Sequence, residues 1–211
     1  MTRCAETSSQ NATSDSSVSS DRVTTLSPPT PRQLIHERRV ITRGYLRDDG
    51  LWDIEGELLD EKTYTYTDRD RGALPAGSPM HHMRARLTVD HGMNIHAAEA
   101  AMSAQPFGSC REGLESMQKL VGASLATGFR RQVEDAMGRT LGCTHIRDLL
   151  LAMATTAYQT ISSWREQFMP ELGAPKQKDG EKPFFLNQCR SWAETSPVVA
   201  VYFPKFHRKD G

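Results

Sequence analysis

Apolar and polar residues alternate with a period of two from Arg38 to Lys62, interrupted once at Asp48-Asp49-Gly50. A period of two sends successive side chains to opposite faces of a strand, and Asp-Gly between two such runs marks a hairpin turn. In the second run Trp52, Ile54 and Leu58 point one way, and Asp53, Glu55 and Glu57 point the other. That pattern predicts a half-buried antiparallel strand. Residues 64–78 are polar and contain Pro75 and Gly77, so they read as a loop. His82 to Val89 and Met93 to Ala101 then flank Asp90-His91-Gly92, which predicts a second hairpin with His91 and His96 at its surface.

After Pro106-Phe107-Gly108 the period lengthens to about 3.6. Leu114, Met117 and Val121 mark a short helix closed by Gly122, and Ser124 caps a second one carrying Leu125, Phe129 and Val133, closed by Gly138. The third helix is the longest. Its stripe of Ile146, Leu149, Leu150, Met153, Ala154, Ala157 and Ile161 runs until Pro170, with Thr144 as its N-cap. Residues 171–183 read as a Lys/Gly/Pro-rich linker, followed by Cys189, Trp192 and a strand-like Val198 to Phe203. Hairpins first and helices afterwards predict an α+β domain: an antiparallel sheet of two hairpins with three helices packed on one face.

The first 31 residues break every such pattern. They hold eight Ser and six Thr, end in Ser27-Pro28-Pro29-Thr30-Pro31, and offer little apolar surface to set against roughly 1–2 kcal/mol of ordering entropy per residue. We read 1–31 as a disordered tail and 32–211 as one domain. The tail lacks the apolar core of a secretory signal, and its Arg3 and Arg22 stand against Glu6, Asp15 and Asp21, unlike an acid-poor presequence. A cytoplasmic location is expected.

Charge narrows the partners. Lys plus Arg and Asp plus Glu both number 26, so no net field draws the chain to nucleic acid, and no run of about 18 apolar residues exists to span a membrane. A protein partner is left open. Neither a phosphate-binding glycine loop nor GxGxxG, HExxH or GxSxG occurs.

The chemistry that remains is cysteine and histidine. Cys110 and Cys143 sit in Gly108-Ser109-Cys110 and Gly142-Cys143-Thr144-His145, each opening a helical run. Unpaired N–H groups at a helix start favour thiolate over thiol, and the thiolate is both ligand and nucleophile. With a histidine or a third thiol, Cys189, these two would suit a tetrahedral site for zinc or cluster iron. His145 can join only if Cys143 lies before the first helical turn. His81 and His82 face opposite sides of a strand, and His81 is the one taken for the site, since it begins the strand. The candidate metal ligands are therefore His81, Cys110, Cys143, His145 and Cys189. Core packing of the cysteines, a common fate of free thiols, is the alternative. Asp53 and Glu55 read as solvated acids, and His36 and His207, near the chain ends, carry little weight.

Four strings carry a resemblance: Arg47-Asp48-Asp49-Gly50-Leu51-Trp52-Asp53-Ile54-Glu55-Gly56, Pro79-Met80-His81-His82-Met83 leading to Leu87-Thr88-Val89-Asp90, Leu120-Val121-Gly122, and Gly142-Cys143-Thr144-His145. Over about residues 38 to 205 the chain resembles a bacterial family catalogued as a domain of unknown function. In the order of its hairpin, Cys110, Leu120-Val121-Gly122 and Cys143 it is more distantly similar to the NifU-type (IscU-like) iron–sulfur scaffold proteins. That resemblance implies a NifU-like α+β core in which Cys110 and Cys143 match the second and third scaffold cysteines and His81 falls at the scaffold aspartate. Pro79 stands where the first scaffold cysteine would be, so a three-cysteine site would draw on Cys189. The expected function is a metal- or iron–sulfur-cluster-binding accessory protein. The alternatives are a cysteine-dependent acyl-transfer or thioester-hydrolysing enzyme built on Cys143 and His145, and an interaction module with a structural zinc.

Overall fold

The structure, a computed structural model, describes residues 26–172, 182–183 and 185–209. The chain divides into two units, Met1–Gln33 and Leu34–Gly211. Within the first, residues 26–33 are exposed and form neither helix nor strand. The expected disordered tail falls, for residues 1–25, outside the described residues, as does 173–181 of the expected linker.

In the second unit the alternating runs become strands. β1 (His36–Leu46) and β2 (Trp52–Lys62) form the first hairpin, in unbroken register from His36 opposite Lys62 to Leu46 opposite Trp52. The turn closes because Gly50 adopts φ +82, a left-handed conformation that costs glycine nothing, and because Asp49 accepts the Leu51 N–H at 3.2 Å. The stretch read as a loop holds a small hairpin of its own, β3 (Tyr66–Asp68) and β4 (Gly72–Leu74). Asp68 organises it by accepting the backbone N–H groups of Asp70 and Arg71. β5 (Pro79–Val89) and β6 (Ile95–Ala104) form the last hairpin, and the sheet order is β1-β2-β5-β6, antiparallel throughout. His91, expected at the surface, is half-buried and accepts the Trp52 indole N–H at 3.1 Å.

One sheet face is apolar, through Trp52, Ile54 and Leu58 of β2, Met83, Ala85, Leu87 and Val89 of β5, and Ile95, Ala98 and Met102 of β6. A 3-10 run, Gly108–Leu120, packs against β6, and Gln118 donates to the Ala98 carbonyl at 2.9 Å. It stops where Gly122 turns to φ +85. α1 (Phe129–Met137) starts after Gly128 and not at Ser124, whose N–H goes to Gln132 and which bridges to Asn94. α2 (Thr144–Phe168) buries Ile146, Leu149, Leu150, Met153, Ala157 and Ile161, the stripe its periodicity announced, but its N-cap is Cys143 rather than Thr144. α2 lies over β1 and β2. Thr156 meets Thr42 at 2.5 Å, and a Cβ on Gly56 would sit 2.7 Å from Met153 Sδ, so only glycine lets the helix approach so closely.

The strand expected at Val198 to Phe203 is instead a helix, α3 (Pro197–Tyr202). Ser196 caps it by accepting the Val199 N–H at 3.2 Å, and Pro197 at the first helical position has its φ set in advance. Local capping outweighs the β propensity of Val198, Val199 and Val201. Among the described residues no helix is long and apolar enough to cross a membrane.

Candidate metal centre

The inward face of β2 reads Trp52, Ile54, Gly56, Leu58 and then Asp60. Continuing the same phase carries a carboxylate into the core, where Asp60 is 1% exposed. An ionised carboxylate there needs partners, because desolvation would otherwise neutralise it. The sheet register supplies them from both neighbouring strands, Arg38 opposite on β1 and His81 opposite on β5. Arg38 grips the carboxylate in a two-pronged pair, Nε to Oδ1 and Nη2 to Oδ2, each 2.7 Å. His81 Nδ1 lies 2.9 Å from Oδ2 and His36 Nε2 3.2 Å from Oδ1. Directly after Asp60 the β2–β5 register slips, so Glu61 pairs with Pro79. Burial alone would raise the Asp60 pKa; the Arg38 guanidinium and then His81 outweigh it and hold the group at about 2.

α2 delivers the third member. His145 is the second residue of the helix, and its ring lies over His81 with centroids 3.9 Å apart and planes tilted by 34°. Ligand atoms of Asp60, His81 and His145 all fall within 4.8 Å of one another. Burial lowers the pKa of both imidazoles: for His81 against the opposing hydrogen bond to Asp60, and for His145 with further help from His81 and Arg38. Both rings are therefore neutral near pH 7 and keep a lone pair. Because Asp60 is ionised and can only accept, His81 donates from Nδ1, which leaves its Nε2 as the lone-pair nitrogen.

Cys143 stands beside this group. Capping α2 from an extended backbone, φ −87 and ψ 125, it carries its Sγ to 3.9 Å from His145 Nδ1 and 4.0 Å from Met83 Sδ. The condition for Cys143 and His145 to meet, a cysteine placed before the first turn, is thus fulfilled. Cys110 lies half-buried in the 3-10 run, packed against the core, and Cys189 is exposed in the C-terminal segment. None of the three cysteines joins the Asp60, His81 and His145 group among the described residues; Cys143 reaches only His145 of it. His82 points to the opposite face, where its Nε2 lies 2.7 Å from Glu57.

Sequence reasoning missed Asp60, Arg38 and His36. For Asp60 the signal was present: it is next in phase after Trp52, Ile54 and Leu58, so an acid was due on the buried face. Arg38 and His36 then follow from the hairpin register, since their positions on β1 flank that carboxylate across the strand.

A family model described as "Protein of unknown function (DUF2889)" matches residues 36–159, more than half of the chain. The matched span runs from the start of β1 into α2 and holds Arg38, Asp60, His81, Cys143 and His145. No curated protein and no solved structure matches the chain.

Proposed function

We propose that this chain, which belongs to the DUF2889 family, is a metal-binding protein that holds one divalent transition-metal ion of the zinc class at the start of α2. The observation that carries the reading is the convergence of one carboxylate and two neutral imidazoles, drawn from β2, β5 and α2, within 4.8 Å. His81 Nε2 and His145 are the nitrogen donors. Asp60 acts from behind, fixing the His81 ring as carboxylates do behind metal-bound histidines, since both its oxygens already accept from Arg38, His36 and His81. Cys143 supplies a thiolate. Its 3.9 Å separation from His145 Nδ1 is close to the ~3.6 Å between sulfur and nitrogen on a tetrahedral zinc. A cluster scaffold would draw on several thiolates, and here one thiol adjoins His145 alone, which favours a single ion over an iron–sulfur cluster.

Metal analysis of protein purified without oxygen or chelator tests this. About one zinc per chain is expected, lost in His81→Ala and His145→Ala, and bound roughly 10–100-fold more weakly in Asp60→Asn. Metal-free protein that takes up no zinc on titration overturns the proposal.

The contact of Cys143 with His145 also favours a second reading, a cysteine enzyme in which His145 draws the proton from a thiol at a helix N-terminus. Iodoacetamide separates the two. A metal-held thiolate resists alkylation until a chelator is added, whereas a nucleophile labels at once below the ordinary thiol pKa of about 8.5.

A further inference from the structure

β1 is an outer strand of the sheet, and it is exposed along nearly its whole length. Its backbone polarity is settled at both ends. Ile35 O accepts from Thr63 N at 3.2 Å, and Arg47 N donates to Leu51 O at 2.8 Å, so odd-numbered residues bond to β2. Because the register between those ends is unbroken, the N–H and C=O groups of residues 36, 38, 40, 42, 44 and 46 point outward from the sheet edge. A long strand with an open edge is a template for another strand. This one is apolar at its middle, with Val40 45% and Ile41 41% exposed, and apolar at both ends, where Leu34, Ile35, Tyr45 and Leu46 are exposed.

We infer that β1 pairs antiparallel with β1 of a second copy of this chain, with Val40 on the two-fold axis, so that two four-stranded sheets join into one. The occupant follows from self-complementarity in a single register. Placing Val40 on Val40 sets Leu34 against Leu46, Ile35 against Tyr45, and Arg39 against Ile41 of the second copy. It also sets Glu37 against Arg43. Neither Glu37 nor Arg43 has an ion-pair partner among the described residues, and within its own sheet Glu37 stands opposite another acid, Glu61. Shifting the axis by one residue to Arg39 stacks Arg39 on itself, and shifting it to Ile41 sets Arg39 against Arg43. Both shifts oppose like charges, which destabilises a cross-strand pair. The even-numbered groups that would bond across the seam are the outward ones, so pairing costs no hydrogen bond of the hairpin.

Sedimentation velocity of the full chain across micromolar concentrations tests this. A dimer is expected. Glu37→Arg and Arg43→Glu should each weaken it by roughly tenfold, because each removes two symmetry-related pairs at once. The double exchange E37R/R43E should restore it. Val40→Pro removes an outward N–H that β2 does not use, a position edge strands tolerate, and should give a folded monomer by circular dichroism. A wild-type monomer at every concentration overturns the inference, as does a dimer indifferent to the charge exchange and to Val40→Pro.

Discussion

Two charged rows cross this sheet on opposite faces, and they are built from the same chemistry. On the outer face Arg43, Glu55, Arg86 and Glu99 stand opposite one another across β1, β2, β5 and β6, with Arg86 2.7 Å from Glu55 and 3.6 Å from Glu99. On the inner face Arg38, Asp60 and His81 repeat the arrangement across three strands. Solvent separates their consequences. The outer charges remain open to solvent, so pairing them changes little and salt screens it. The inner carboxylate has left water, so its partners must satisfy it, its pKa is displaced, and the rings bound to it are held in one orientation. Where a charge sits, more than what it pairs with, makes the inner row a candidate site and the outer row a surface.

The strongest attack on that contrast is Asp60→Ala, which strips Arg38 and His81 of their common partner. It should cost about 2–4 kcal/mol in denaturant unfolding. A loss below about 1 kcal/mol would mean the inner row is no more demanding than the outer one. Gly56→Ala tests the tightness of the inner face without touching a charge. The added methyl meets Met153 and Leu149 and should cost about 1–3 kcal/mol, while the outer rows one residue away on β2 stay intact.

Acid supplies a smaller, graded test. The folded-state pKa values of His81 and His145 lie below the ordinary 6.5, so the unfolded chain takes up protons first. Stability is complete above about pH 6.5 and declines as pH falls toward the lowered folded values. Asp60, held at about 2 against an ordinary 3.8, keeps its contribution until pH falls below 3.8 and loses it toward 2. Thermal melts should therefore drop between pH 7 and 5, and a His81→Gln/His145→Gln double variant should flatten that slope; equal slopes would remove the histidines from the account. The least effect belongs to the outer row. A double-mutant cycle on Glu55 and Arg86 should return about 0.2–1 kcal/mol, shrinking in salt.

What could be read from the residues follows this same division. Strand phase and helix periodicity are local, and they placed both hairpins and the α2 stripe, but they did not say which of His81 and His82 faces inward. The cap at Ser196 is just as local, yet it was overlooked because three valines argued for a strand. Asp60 was legible by phase alone. Its partners were not, because which residue of β1 and of β5 stands opposite depends on the turn at Gly50 and on the register slip after Asp60. The meeting of His145 with His81 rests on how α2 lies across the sheet, which Gly56 permits through a contact that no single segment encodes.

The sheet order has a kinetic corollary. Each hairpin closes within its own stretch of chain, on the microsecond scale typical of such units, and α2 can nucleate independently. Arg38 and Asp60 thus meet early, inside the first hairpin. His81 arrives only when β2 docks on β5, and His145 only when α2 settles over both. The pairing of the two rings is the last of these events to become possible, so a probe of the His81–His145 contact during refolding would time the docking of α2 on the sheet.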